Sequence, residues 1–198
     1  MLNGTFLSHA HPDDFLAAGE FVDFHDPGIQ ELAQDLKAEA SDAEDFARRA
    51  FEWVRDNIRH SYDFNDEQVS IRASESLLNG TGLCYAKAHL LAALLRSQKI
   101  PTGLCYQRLT EGDGHVVHGL VAIWLRDGWK RQDPRGSTNG TKAEFNLERE
   151  QLAWDADASL GEVDYLWLYA EPAHQVVTAL QQAPSISQAD LPQALTEE

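Results

Sequence analysis

The chain has 198 residues, with 16 lysines and arginines against 32 aspartates and glutamates, which gives a formal net charge of −16. This length suits one domain with one core, and the acidic balance argues against nucleic-acid and membrane partners because phosphate groups would be repelled. Two cysteines are too few for a disulfide framework, and the first residues lack the pattern of a secretory signal. We therefore expect a single cytoplasmic domain over residues 1–198.

The N-terminal half is predicted to be mainly helical. Residues 1–28 have little periodicity and are expected to form an irregular arm, whereas apolar spacing and capping patterns then indicate helices. Residues 60–79 are predicted to be mostly loop. The predicted helical segments of this half are 13–22, 27–39, 43–57 and a single turn at 73–78.

The next helix begins at a cysteine. Gly80-Thr81-Gly82 predicts a turn, and the Ala/Leu-rich run from Cys84 to Ser97 predicts a helix. Free N–H groups and the helix dipole at such an N-terminus stabilise a thiolate, although a small buried apolar cysteine fits the position equally well. His89 lies about 140° around this helix from Cys84 and cannot be its partner.

After Pro101 the pattern changes to strands separated by Gly-containing turns, which predicts an antiparallel meander. A helix over 173–181 closes the fold, and residues 183–198, rich in small and polar residues, are expected to be loose. The fold class is therefore α+β. The predicted strands are 103–109, 116–125, 129–133 and 163–169.

A histidine and an aspartate fall on two neighbouring strands of this meander. His118 shares one face with Ala122 by alternation, and a two-residue turn at 127–128 would place Ala122 opposite Asp133 and Trp124 opposite Arg131. The imidazole and the carboxylate then share a face. That register leaves them about 13 Å apart, so a bulge or a wider loop is needed to bring them side by side.

Several motifs follow one another in an order that resembles the transglutaminase-like superfamily over residues 27–140. The segments that carry the resemblance are Trp53-Val54-Arg55-Asp56-Asn57-Ile58, Gly82-Leu83-Cys84, Leu94-Leu95-Arg96, Ile100-Pro101, His118, and Gly128-Trp129-Lys130-Arg131-Gln132-Asp133-Pro134. The resemblance implies a papain-like α+β fold in which a cysteine-bearing helix packs on an antiparallel sheet. It also implies Cys84 as nucleophile, His118 as general base and acid, and Asp133 as the orienting carboxylate.

These roles imply a cysteine-dependent hydrolase or acyltransferase that acts on a peptide or carboxamide bond through a thioester, without a cofactor. We expect hydrolysis of a peptide or protein amide rather than cross-linking. The oxyanion would be bound by the N–H of Cys84 and by Tyr62. Two departures from the family pattern are Gly119-Leu120 after the histidine, where Ala-Trp is usual, and Arg135, where a small hydroxyl residue is usual.

Two alternatives stay open. A binding module on the same fold would need no chemistry at Cys84. The run from Ala10 to Asp14 also resembles the zinc signature of the N-acetylglucosaminyl deacetylase family, in which His11, Asp14 and His118 would bind zinc and Asp13 would be the base. That match is short, and Phe15 stands where an acidic residue is usual.

Overall fold

The structure is a computed structural model that describes residues 4–136 and 143–196. The helices in these ranges are α1 Pro27–Glu39, α2 Ala43–Asn57, α3 Ser61–Phe64, α4 Ala73–Asn79, α5 Cys84–Ser97 and α6 His174–Gln182. The strands are β1 Gly4–Phe6, β2 Arg59–His60, β3 Thr81–Gly82, β4 Thr102–Glu111, β5 Gly114–Leu125, β6 Gly128–Gln132 and β7 Val163–Tyr169. None of the helices described is long and apolar enough to cross a membrane.

Helix α5 forms the centre of the core. Its Ala/Leu-rich sequence favours a helix, and every residue from Cys84 to Arg96 is buried. The helix contacts α1, α2 and α4 as well as strands β4 and β5, so it joins the helical layer to the sheet. A helix that is covered on all sides gives its first residue a fixed position.

Three polar side chains of α5 are buried, and each of them bonds to backbone carbonyls of other segments. Arg96 donates to the carbonyls of Thr102, Ala17 and Ala170. Lys87 donates to the carbonyls of Arg55 and Ile58, and His89 bonds through Nδ1 to the carbonyl of Ile71. Because a buried polar group is costly without a partner, these bonds fix the loops around α5.

The main sheet has the strand order β1-β7-β4-β5-β6 and is antiparallel throughout. Alternation along β5 puts Val117, Val121 and Ile123 in the core that contains α5, while Leu120 and Ala122 pack in a second cluster on the opposite face. The predicted antiparallel α+β architecture is thereby confirmed.

The helix predicted over 13–22 is wrong. The structure has a 3-10 turn at Pro12–Phe15, and the following backbone is irregular. The carbonyl of Ala17 accepts from Arg96, and the carbonyl of Phe21 accepts from the N–H of Ala73. These groups bond to other segments instead of to a local helix, which a periodicity argument cannot detect. The predicted helices over 27–39, 43–57 and 73–78 are confirmed.

The expectation that residues 183–198 are loose is wrong for the C-terminal segment, residues 183–196, which is bound to the body of the protein, and residues 197–198 lie outside the described residues. Apart from a 3-10 turn at Ile186–Gln188 the segment is irregular. Leu191 and Leu195 pack against the main core, and the carbonyl of Pro192 accepts from the N–H of Val117. A few apolar anchors and backbone hydrogen bonds thus hold a segment whose overall composition is polar.

Candidate active site

The N-terminus of α5 is positioned by a short parallel strand pair. β2 pairs with β3, so that His60 lies opposite Gly82, two residues before the helix. A side chain at Gly82 would place its Cβ 2.6 Å from the Cβ of Ala86, so only glycine allows this close entry into the helix. Leu83 at the N-cap offers no side-chain acceptor, and the N–H groups of the first turn have no side-chain cap. Cys84 is the first residue of that turn.

Strand pairing brings His118 and Asp133 together more closely than the sequence predicted. The β5–β6 turn is Arg126-Asp127, not Asp127-Gly128, so Ala122 lies opposite Arg131 instead of opposite Asp133. Trp124 likewise lies opposite Trp129 rather than Arg131. This two-residue change of register moves Asp133 along the strand towards His118. Nε2 of His118 and Oδ2 of Asp133 are 2.8 Å apart.

The Asp133 carboxylate is completely buried and held by three hydrogen bonds. Its Oδ2 accepts from His118 Nε2 and, at 3.1 Å, from the N–H of Ala153. Its Oδ1 accepts from the N–H of Arg135 at 3.0 Å. These bonds fix both the carboxylate and the plane of the imidazole, whose remaining nitrogen, Nδ1, is left for the Cys84 thiol.

The charges of the three groups favour an ion pair. Burial alone would lower the pKa of His118, but the negative charges of Asp133 and of a Cys84 thiolate outweigh burial and raise it. Burial alone would raise the pKa of Asp133, but the His118 cation and the backbone hydrogen bonds hold it below its usual value. The arrangement therefore favours His118 as an imidazolium beside the Asp133 carboxylate.

A backbone N–H completes the surroundings of the sulfur. Gly119, directly after His118, donates to Sγ of Cys84 at an N···S distance of 3.3 Å. A Cβ at Gly119 would lie 2.7 Å from Cδ1 of Tyr85, whose hydroxyl bonds to the carbonyl of Val117. The unusual Gly119 thus makes room for the aromatic residue that follows the cysteine.

An open cleft of about 420 Å³ adjoins Cys84 and His118. Tyr62 lies on its wall and is 42% exposed; burial, and then the charges of Glu111 and Cys84, raise its pKa. Apolar side chains form much of the remaining wall: Leu83, Leu109, Val116, Trp154, Leu160 and Leu191. The volume lies in the range of small-molecule sites, so the cleft can hold a side chain and the adjoining backbone of a substrate.

The family model of the transglutaminase-like superfamily matches residues 30–134, just over half of the 198 residues. The chain belongs to this superfamily. The predicted family and the papain-like α+β fold are therefore confirmed. No curated protein matches the sequence.

One solved structure shows the same fold, and a second is similar over part of the chain. A candidate cysteine protease from Cytophaga hutchinsonii matches with a TM-score of 0.54 and 17% identity, over 68% of this chain and 46% of that one. The periplasmic domain of TgpA from Pseudomonas aeruginosa, bound to ethylmercury, matches with a TM-score of 0.49 and 17% identity, over 64% of this chain and 50% of that one. This chain spans about half the length of each of these two proteins.

The sequence did not indicate the importance of Trp154. Its ring meets the His118 ring edge to face, with centroids 5.1 Å apart, and Cζ of Arg135 lies over the Trp154 ring, 5.0 Å from the centroid. Arg135 also forms a bidentate pair with Asp63, both N···O distances being 3.0 Å. Local sequence patterns give no functional signal at Trp154, because its contacts with His118 and Arg135 are distant in sequence.

His60 is a second residue of the site that the sequence did not single out. It lines the cleft, and its ring is 6% exposed. Burial, and then the charge of Arg135, lower its pKa to about 3, so it is neutral at physiological pH. Its Nδ1 is 4.0 Å from Oδ2 of Asp63.

The residues of the zinc alternative are not assembled into a metal site. His11 and Asp14 lie at the exposed 3-10 turn, whereas His118 is buried beside Asp133. Within residues 4–136 and 143–196, no three His, Cys, Asp or Glu side chains are grouped so that they could hold a metal ion.

The histidine closest to Cys84 in sequence, His89, is buried and bonds to the carbonyl of Ile71.

Proposed function

We propose that this protein is a cysteine hydrolase that cleaves a peptide or carboxamide bond through a thioester on Cys84. The observation that carries the proposal is the 2.8 Å bond between His118 and Asp133, with Cys84 beside the imidazole and an open cleft next to both. In this proposal His118 is the general base and acid, and Asp133 orients it.

The reaction begins from the thiolate–imidazolium pair. The Cys84 sulfur attacks the substrate carbonyl carbon, and the resulting oxyanion is bound by the N–H of Cys84 and by Tyr62. The C–N bond then breaks, and the amine leaves with the proton that His118 held. Water attacks the thioester, His118 accepts its proton, and the carboxylic acid is released as the sulfur regains its charge.

A protease or amidase is favoured over a cross-linking enzyme, because water needs no second binding site whereas a protein amine does. We further propose that the protein needs no cofactor and works in the cytoplasm, where the free Cys84 and Cys105 stay reduced. The alternative, a binding module, would need neither the hydrogen bond between His118 and Asp133 nor the N–H that Gly119 donates to the sulfur of Cys84.

The proposal is tested with N-blocked amino-acid p-nitrophenyl esters, which are reactive acyl donors that need little recognition. We expect a burst of one nitrophenolate per chain and an acyl adduct on the peptide that contains Cys84, detected by mass spectrometry. Cys84→Ala should lose both, and Cys105→Ala should keep both. A Cys84 that reacts with alkylating reagents but forms no acyl adduct would support the binding module.

The choice between hydrolysis and transfer is tested in the same assay. Addition of a simple amine such as cadaverine competes with water for the thioester. We expect the free acid to remain the main product at millimolar amine. A product mixture dominated by the amide would favour an acyltransferase.

A further inference from the structure

The edge of β5 that faces β6 extends past the end of β6, and this unpaired part lies next to the candidate site. The N–H of Trp124 donates to the carbonyl of Pro101 on the β4 side. Because N–H groups alternate along a strand, those of Val117, Gly119 and Val121 face the opposite edge. β6 pairs with β5 only as far as Val121, so that edge continues past the end of β6 towards Gly114.

Two different groups occupy this continuation of the edge. The N–H of Gly119 donates to Sγ of Cys84, and the N–H of Val117 donates to the carbonyl of Pro192 at 2.9 Å. The C-terminal segment therefore binds this edge at Val117, two residues before Gly119, whose N–H donates to the sulfur. Its Pro192 carbonyl occupies the backbone donor of Val117, so this position of the edge is already filled.

The segment is held on both sides of this contact. The carbonyl of Gln193 accepts from Arg108 at 3.1 Å, and the N–H of Leu195 donates to the hydroxyl of Tyr165 at 3.0 Å. On the other side the N–H of Ile186, whose side chain is buried, donates to the carbonyl of Glu67. Leu191, between these anchors, is a fixed part of the cleft wall.

We propose that Leu191 is a specificity-determining residue, and that the cleft takes an amide whose acyl part carries an apolar side chain of limited size. This inference rests on the proposed function, because it concerns the substrate of Cys84. Leu109, Val116 and Leu160 give the cleft an apolar wall, which favours an apolar group by desolvation. Four carboxylates also line the cleft: Glu111, Asp155, Asp157 and Glu162. A fixed apolar wall can discriminate by roughly 10- to 200-fold between groups that differ by a single methylene.

The test uses thiol reagents of increasing bulk, since the natural substrate is unidentified. Second-order rate constants for Cys84 are measured by mass spectrometry with iodoacetamide and with N-(1-naphthyl)iodoacetamide. The ratio of the two rate constants reports the room in the cleft and cancels the intrinsic reactivity of the thiol. The variants are Leu191→Ala and Leu191→Trp, with Leu195→Ala as the matched control, because Leu195 packs on the core and is not a lining residue of the cleft.

We expect the naphthyl-to-iodoacetamide ratio to rise about tenfold in Leu191→Ala, to fall about tenfold in Leu191→Trp, and to stay within twofold in Leu195→Ala. Ratios within twofold of wild type in both Leu191 variants would overturn the inference. An equal rise in Leu191→Ala and Leu195→Ala would also overturn it, since loosening of the segment would then be the cause.

Thermal unfolding of each variant establishes that it is folded, and the Trp variant keeps the test decisive if Leu191→Ala does not fold. Failure of the proposed function has a different signature. In that case the reactive esters leave no acyl adduct on Cys84, whereas the size ratio is still measurable.

Discussion

The two cysteines are both buried, but they lie in contrasting surroundings. Cys84 is 7% exposed, lies at the start of α5 and adjoins a cleft, a histidine and a backbone donor. Cys105 is 2% exposed, lies in the middle of β4 and packs among apolar residues on the far face of the sheet. Burial raises the pKa of the Cys105 thiol, and the nearby charge of Arg131 offsets this only in part.

This comparison shows that low exposure alone does not decide what a thiol does. The polar partners decide it: Cys84 has a cation and an N–H at its sulfur, whereas Cys105 behaves as a small apolar residue of the sheet. Each prediction below alters one of these partners or measures the difference directly.

The largest expected effect is the difference in alkylation between the two thiols. At pH 6 in the folded protein, iodoacetamide should modify Cys84 at least about 100-fold faster than Cys105, because Cys84 adjoins the open cleft and has His118 and an N–H donor at its sulfur, whereas Cys105 lies among apolar residues. Quantitative mass spectrometry of the two cysteine peptides measures both rates in one sample. In guanidinium chloride the rates should become equal, and rates within threefold of each other in the folded protein would contradict the assignment of Cys84.

Asp133→Asn should reduce this difference by roughly 10- to 100-fold. The carboxylate raises the pKa of His118, so its removal lowers that pKa, and the imidazolium that stabilises the thiolate is lost. The pH profile of Cys84 alkylation in Asp133→Asn should therefore differ from that of wild type. The matched control is Asp164→Asn, which removes a carboxylate bonded to Gln107 and Arg131. An unchanged pH profile in Asp133→Asn would show that Asp133 does not act on Cys84.

Gly119→Ala should lower the alkylation rate of Cys84 by about tenfold and destabilise the protein by about 1–3 kcal/mol. The added Cβ would lie 2.7 Å from Tyr85, so β5 must shift and weaken the N–H···S bond. The control is Gly128→Ala, where the closest atom to the new Cβ is 3.9 Å away. Equal behaviour of the two variants in alkylation and thermal unfolding would contradict the role of Gly119.

Much of the fold could be predicted because its signals are local. The apolar spacing of α2, the Ala/Leu composition of α5 and the alternation in β5 each depend on neighbouring residues. Alternation together with a two-residue turn indicated that His118 and Asp133 share a face, although the predicted register left them too far apart. The order of motifs then indicated the family, which the family model confirms.

The register could not be predicted because distant contacts decide it. Asp-Gly is the usual turn pair, yet the turn residues are Arg126 at φ 53° and Asp127 at φ 57°, both left-handed. The Arg126 guanidinium binds Glu44 and Glu148, which anchors this unusual turn. The contacts of Trp154 and of the C-terminal segment are also distant in sequence, so local sequence patterns do not indicate them.

The last expected effect concerns stability, and it compares a histidine beside Cys84 with one away from it. The folded-state pKa of His118 is raised above 6.5, so its stabilisation is complete below pH 6.5 and is lost as the pH rises through the folded-state pKa. Burial lowers the pKa of His89 to about 4, so its neutral form is favoured and stability is lost as the pH falls from 6.5 towards 4. Urea unfolding of wild type, His118→Asn and His89→Asn at pH 5, 7 and 9 distinguishes these two pH dependences of the free energy of unfolding. The variant at 118 should lose the alkaline decline, by at least about 1.4 kcal/mol for each unit of pKa shift, and the variant at 89 should lose the acid decline. If His118→Asn keeps the full alkaline decline, then His118 is not held as a cation between Asp133 and Cys84, and the contrast between the two thiols must have another cause.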